Sequence, residues 1–191
     1  MKKIFSLIAA FSVVLFFACN KFSVPELVHD SHASEQLQGM WEQCVPLEIE
    51  ISMNPDNPTE VSGTVRSNSI TTLSFEENQN FTIETKMEFV SYEPKNPSEE
   101  VSVSLDAMKE YFSQKVLVQG LYIVTESVIQ YDNRLVTVNE TSKFSFEEFA
   151  AMNPDAGTHI QTATWRLDGD TLYLTVAGNE LQSDLVYTRV K

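Results

Sequence analysis

Several groups along the chain have the residue types that do chemistry. Glu84 with Glu88, Glu76-Glu77, and Asp168 with Asp170 are carboxylate pairs of the kind a glycosidase uses, but such a pair works only at a fixed separation across a cleft. Nothing in their spacing fixes one. Glu84 and Glu88 fall on the polar side of an alternating run and the two aspartates frame a turn, so all four read as solvated surface. His29-Asp30-Ser31-His32 offers two imidazoles and a carboxylate to a metal, whereas structural sites usually need four ligands held by a fold. Asp168-Gly169-Asp170 and Asn153-Pro154-Asp155 hint at calcium but lack the spaced oxygens of an EF-hand loop. A Ser-His-Asp triad would have to use His159, in a loop. Cys44, close to Trp41, reads as a small buried apolar group with no base beside it to make it a nucleophile. With no Gly-rich phosphate loop, Gly-x-Ser-x-Gly elbow or Cys-x-x-Cys pair in the chain, the expectation is a protein that is not an enzyme and has no cofactor and no metal.

The most definite chemistry belongs to Cys19. Lys2-Lys3, the apolar run from Ile4 to Phe17 and then Ala18-Cys19 form a secretory signal. The pattern resembles a bacterial lipoprotein signal, which is cut before a cysteine that then carries lipid. Ala18 fits that pattern; Phe16 stands where Leu is more usual. The run is about fourteen residues, short of the roughly 20 that cross a bilayer as a helix. The reading is therefore a signal peptide over 1–18, a lipidated tether over 19–36, polar and interrupted by Pro25, and a β domain over 37–191. Removing residues 1–18 takes away two lysines and no acid, leaving 11 basic against 27 acidic residues and a formal charge of −16. Such a surface repels nucleic acid and anionic headgroups, so membrane contact is expected through acyl chains. With Cys19 lipidated, Cys44 has no disulfide partner.

From Leu37 on, the dominant period is two. Leu47, Ile49, Ile51 and Met53 alternate with Glu48, Glu50 and Ser52, and Phe81, Ile83, Thr85, Met87 and Phe89 alternate with Thr82, Glu84, Lys86 and Glu88, so each run is a strand with one dry and one wet face. Thr71 to Phe75 pairs with the second run across Glu76 to Asn80. Asp168-Gly169 suits a type I′ hairpin loop, which would set Trp165 opposite Leu172 and Ala163 opposite Leu174. A turn at Ala177-Gly178-Asn179 leads into a last strand from Leu181 to Val190. Val116 to Val124, Ser127 to Tyr131 and Leu135 to Asn139 also read as strands, punctuated by Gly120 and Asp132-Asn133. Short helices are predicted over Leu105 to Phe112 and Phe146 to Met152, the second with the capping-box start Ser145-x-x-Glu148. The segments from Asn54 to Pro58 and Tyr92 to Ser98 read as loops. Nine or ten strands with little helix predict an all-β fold, an antiparallel up-and-down barrel or a barrel-like sandwich with one or two short helices.

Leu37-Gln38-Gly39-Met40-Trp41, the hairpin from Leu73 to Thr82 and Ala163 to Leu174 resemble the small lipocalin-like lipoproteins of Bacteroidetes, in which Leu-x-Gly-x-Trp opens the first strand and Gly-Asp-x-Leu-x-Leu forms a late hairpin. The resemblance implies a lipocalin-like barrel with Trp41 packed at its closed end, and no binding residues. Asp170-Thr171-Leu172 resembles the O-glycan attachment site of exported Bacteroidetes proteins; Thr171 as a strand residue next to a turn is the plainer account. A barrel of this size can enclose one small ligand, and Phe89, Tyr92, Tyr111, Phe112, Tyr122 and Tyr131 are available to line it. The expected protein is a monomer anchored by lipid to the outer membrane of the cell envelope, binding a small apolar ligand, a glycan or an envelope protein. The alternative is a structural or interaction protein with a filled core, since packing uses the same aromatics. No acidic run follows Cys19, so the membrane face stays open. Cys19→Ser should abolish membrane fractionation and leave the fold intact; a variant still found wholly in the membrane fraction would sink the anchor.

Overall fold

The computed structural model of the protein describes residues 27–52, 62–96, 104–153, 156–176 and 184–191. Cys19 and the signal, Met53 and the loop from Asn54 to Pro58, Pro97-Ser98, Pro154-Asp155, Ala177 to Asn179 and Leu181 lie outside the described residues. A helix α1 (Ser31–Leu37) comes first, followed by strands β1 (Gly39–Ile51), β2 (Gly63–Phe75) and β3 (Asn80–Pro94). Next come helix α2 (Leu105–Tyr111), strands β4 (Lys115–Val124), β5 (Val128–Val138) and β6 (Ser142–Ser145), helix α3 (Phe146–Met152), and strands β7 (Ile160–Asp168), β8 (Thr171–Val176) and β9 (Leu185–Arg189). Eight strands close into an antiparallel barrel in the order β1-β2-β3-β4-β5-β7-β8-β9 and back to β1. Of the two all-β forms open to the sequence, this is the up-and-down barrel. The short β6 lies outside the ring and extends the edge of β5 at Leu135 to Val138, beyond the part that pairs with β7.

The period of two does its work on every long strand. β2 turns Val65, Ser67, Ser69, Thr71, Leu73 and Phe75 into the barrel, and β3 turns in Phe81, Ile83, Thr85 and Met87. On β1 the inward set is Trp41, Gln43, Val45, Leu47, Ile49 and Ile51. Cys44, expected to be buried beside Trp41, is instead exposed. The two residues are three apart, and an odd spacing on a strand puts them on opposite faces.

Two bulges adjust this pattern. Arg66 pairs with Ser91 but Ser67 with Phe89, so Val90 is an extra residue and Phe89 and Tyr92 share the inner face despite their spacing of three. Likewise Gln119 pairs with Leu135 and Gly120 with Asn133, leaving Arg134 extra. The sequence marks Asp132-Asn133 as a break between two strands; the structure makes β5 continuous there. Its ladder persists because the Asn133 N–H donates to the His159 carbonyl at 2.8 Å, while the polar side chain that suggested a turn is buried. Gly120 is required at this bulge, because a Cβ there would lie 2.0 Å from the Asp132 carbonyl oxygen.

The late hairpin is shifted by one residue. Asp168 pairs with Thr171, so the loop is Gly169-Asp170, and Trp165 faces Leu174 while Ala163 faces Val176. Of the two loop residues, Gly169 has positive φ, 58°, which fits a type II′ loop and not the two positive φ angles of type I′. Moving the loop by one changes each partner by two, so the same side chains still point inward.

Helices α2 and α3 lie where the sequence predicts them, and α3 carries the expected capping box. In α3 the Ser145 hydroxyl accepts from the Glu148 N–H at 3.2 Å and the Glu148 carboxylate accepts from the Ser145 N–H at 2.9 Å. Helix α1 falls, but for Leu37, within residues 19–36, which the sequence reads as tether; seven residues are too few to show a period. Asp30 nucleates it, its carboxylate accepting from the N–H groups of His32 at 2.9 Å and Ala33 at 3.2 Å. Gly120→Ala should destabilise the barrel by about 1–3 kcal/mol or more, as overpacking does, read as a lower denaturant midpoint at unchanged slope; an unchanged midpoint would refute the close approach.

Candidate functional site

The two ends of the barrel are built differently. At one end α1 packs Ala33, Ser34 and Leu37 against Trp41, Tyr122 and Val124, and Leu37, Trp41 and Val124 are wholly buried. Trp41 donates its indole N–H to the Leu37 carbonyl at 2.7 Å. The Arg189 guanidinium stacks over the same ring, 4.1 Å from its centroid, and donates to the Gln38 and Gln36 carbonyls at 2.8 Å each. Asp30 N–H donates to the Val124 carbonyl at 2.8 Å, and the His29 ring meets Tyr122 edge-on. This end is sealed. The His29-Asp30-Ser31-His32 motif is spent on it as a helix cap and a ring contact.

The opposite end holds a second, separate apolar cluster. Val65, Met87 and Phe112 are buried there, but Leu47, Ile49, Ile51, Phe89, Tyr92 and Tyr111 packed around them stay half-buried. The strand residues of this group face the inner side of β1, β2 and β3 beyond the part where, among the described residues, β1 pairs with β9 and β3 with β4, so this end lacks an opposite wall of strands and its apolar side chains stay half-exposed. Outside, Glu48, Arg66 and Glu93 form a charged row: Arg66 meets Glu48 at 2.9 Å and Glu93 at 3.1 Å, and both partners raise its pKa, Glu48 first.

Six aromatics are candidates for a ligand-lining role. The structure brings Phe89, Tyr92, Tyr111 and Phe112 into this open mouth. Tyr122 and Tyr131 belong to the closed-end cluster. Tyr122 donates to the Glu76 carbonyl at 3.2 Å and is 2.7 Å from the Ser34 hydroxyl, while Tyr131 packs edge-on against Phe81. Leu47, Ile49, Ile51, Val65 and Met87 were legible as the dry faces of strands but not as a site. What would have marked them is their place at one end of neighbouring strands, which depends on long-range register.

The remaining groups do not converge. Glu84 pairs with Lys115 at 3.1 Å and Glu88 with Lys86 at 3.0 Å on the outer face of β3. Asp170 meets Lys191 at 3.3 Å beside its turn, and His159 is exposed. Among the described residues no group of three or more His, Cys, Asp or Glu could hold a metal ion. An open depression of about 340 Å³, lined by Asn80, Thr82, Gln119, Arg134 and Leu135 among others, lies over the strands around the β5 bulge. No family model matches the chain, and no curated protein matches it.

Burial pushes the Tyr131 and Tyr187 hydroxyls well above the ordinary tyrosine pKa, and for Tyr131 the neighbouring Tyr187 adds to the shift. The folded chain then holds two protons that the unfolded chain releases near pH ~10. Stability is therefore level in this respect below about pH 10 and falls as pH rises further. In an alkaline titration followed by ultraviolet phenolate absorbance, Tyr131→Phe and Tyr187→Phe should each remove amplitude from the step that coincides with unfolding. Loss of amplitude from an earlier step would contradict their burial.

Proposed function

We propose that this protein is a lipid-anchored lipoprotein of the bacterial cell envelope, of the lipocalin-like kind, whose barrel takes a small ligand with an apolar part through its open end. The observation that carries the binding half is the contrast between the two ends. Large apolar side chains that point inward are wholly buried around Trp41 and half-buried around Ile49 and Phe89. A barrel that served only as a packed scaffold would fill both ends, since each large apolar side chain left wet forgoes up to about 1.5–3 kcal/mol of burial. Small-molecule sites have this character: concave, mostly apolar, with few polar groups.

The anchoring half rests on Lys2-Lys3, the apolar run and Ala18-Cys19, and on the Leu37-x-Gly39-x-Trp41 and Gly169-Asp170-x-Leu172-x-Leu174 patterns. The barrel topology is compatible with that family resemblance. In this reading the protein acts as a monomer held to the outer membrane by its acyl chains. The acidic surface plays no part in membrane attachment.

The test uses the chain from residue 19 with Cys19→Ser and a fluorescent apolar probe, N-phenylnaphthylamine. The probe should bind and brighten. Ile49→Glu, which puts a charge in the mouth, should weaken binding about tenfold or more, equivalent to about 1.4 kcal/mol. Ile70→Glu on the outer face of β2 should leave it unchanged. Absence of binding, or equal loss in both variants, would reject the mouth as a ligand site.

A further inference from the structure

The first strand of the barrel has an edge that its neighbours leave uncovered. β1 pairs with β2 over its whole length, from Gly39 to Ile51, but with β9 only at Trp41 and Glu42. Among the described residues no strand pairs with the β9 side of β1 from Gln43 onward. Which backbone groups face that side follows from both ends of the strand. The Met40 carbonyl accepts from the Val190 N–H at 2.8 Å, on the β9 side, and the Ile51 carbonyl accepts from the Ser62 N–H at 2.8 Å, on the β2 side. The N–H and C=O of one strand residue point the same way and alternate from residue to residue, and β1 has no bulge. Cys44, Pro46, Glu48 and Glu50 therefore turn their backbone groups to the open edge.

Pro46 has no N–H to offer there, so beyond it the residues with both a donor and an acceptor are Glu48 and Glu50. The side chains around them divide by face. Leu47, Ile49 and Ile51 turn inward and stay half-buried, since no described strand continues beside them. Glu48 and Glu50 turn outward and are exposed. With Glu93 on the same outer face of β3 they make three carboxylates to one guanidinium, that of Arg66, which meets Glu48 at 2.9 Å and Glu93 at 3.1 Å. An excess of negative charge is left on this row.

An added strand would meet both demands. In antiparallel pairing, the arrangement of every pair in this sheet, residues directly opposite each other share a face. Outward residues beside Glu48 and Glu50 then gain from positive charge, and inward residues beside Leu47, Ile49 and Ile51 gain from being apolar. Main-chain hydrogen bonds to Glu48 and Glu50 supply the attachment. A second copy of this chain does not fit, because pairing β1 with β1 would set the two carboxylates against the same two in its partner.

We propose that β1 from Leu47 to Ile51 receives an extended segment of a partner protein in which basic and apolar residues alternate. The inference goes beyond the ligand-binding reading and does not rest on it.

The test titrates the Cys19→Ser chain into a fluorescent peptide of alternating lysine and valine and follows its anisotropy. Salt is held at about 0.15 M, which screens long-range attraction to the acidic surface. The lysine peptide should bind, and a matched peptide of glutamate and valine should not. N-methylation of the lysine amides, which face β1 in antiparallel pairing, should weaken binding about tenfold or more. N-methylation of the valine amides, which face away, should change it about twofold or less. Glu50→Lys, at an exposed position, should weaken the lysine peptide several-fold. Equal effects of the two methylations would mean general attraction of a basic peptide to an acidic chain, and the inference fails. An unchanged affinity in Glu50→Lys would place the binding elsewhere and also overturn it. If the lysine peptide does not bind below about 1 mM, Pro46 and the carboxylates only protect the edge against pairing, and the inference fails.

Discussion

The strands that begin and end the barrel meet along a short seam: among the described residues β1 and β9 share the pairs Trp41 with Arg189 and Glu42 with Thr188. Arg189 reinforces that seam with three interactions at once, stacking on Trp41 and donating to the Gln36 and Gln38 carbonyls. Those two carbonyls sit at the end of α1, where a helix leaves its last acceptors unused. One guanidinium therefore fastens the last strand to the first and pins the helix that plugs the barrel. The planar fork of arginine is suited to this, since it can stack and donate in two directions together. Because this end is closed by packing and by hydrogen bonds, exchange between the interior and solvent is left to the other end. The direction of entry follows from how the sheet is closed.

Along β2 and β3 the inner face has three zones in sequence: apolar at Leu73, Phe75, Phe81 and Ile83, polar at Ser67, Ser69, Thr71 and Thr85, and apolar again around Val65 and Met87. A sheet chosen for stability alone would place Val or Ile where β2 has Ser67, Ser69 and Thr71, because β-branched apolar side chains pack best on a buried pleated face. Each buried polar group left unpaired costs about 1–3 kcal/mol, in domains whose whole stability is about 5–15 kcal/mol. Ser67, whose hydroxyl has no protein partner among the described residues, is thus a cost to the fold. The plug supports it: Trp41, Leu37, Ile129 and Leu172 are fully buried, and truncation of one such side chain costs about 2–5 kcal/mol. The stable end carries the energetically poor middle.

Much of the fold was legible because it depends on local periodicity. The alternation on β1 and β3 and the capping box at Ser145 are signals contained within a few residues. The helix over 146–152 was readable for the same reason, since its cap is a contact between near neighbours. What was not legible depends on longer range. Val90 and Arg134 look like ordinary strand residues, and only the partner strand shows that they are bulged out. Asp132-Asn133 has turn chemistry in isolation, but burial overrides it. Tyr122 and Tyr131 have the composition of ligand-lining residues, and their assignment to the plug follows from which strand ends are adjacent. Cys44 is different, since its odd spacing from Trp41 is in the sequence itself and points it outward.

The route by which the chain enters the barrel bears on what the mouth can meet. β1 begins at the sealed end, and His29 and Asp30 are held there by Tyr122 and Val124. Anything attached ahead of them is attached to that end. Seven residues separate Cys19 from Leu27, so the eight steps between them span at most about 28 Å. β1 alone has 13 residues, so its contour is about 43 Å. Under the proposed anchor at Cys19 the sealed end would be held near the bilayer, and the far end would face away from it. A binding site in that position exchanges its ligand with solution or with another protein more readily than with the membrane that holds it.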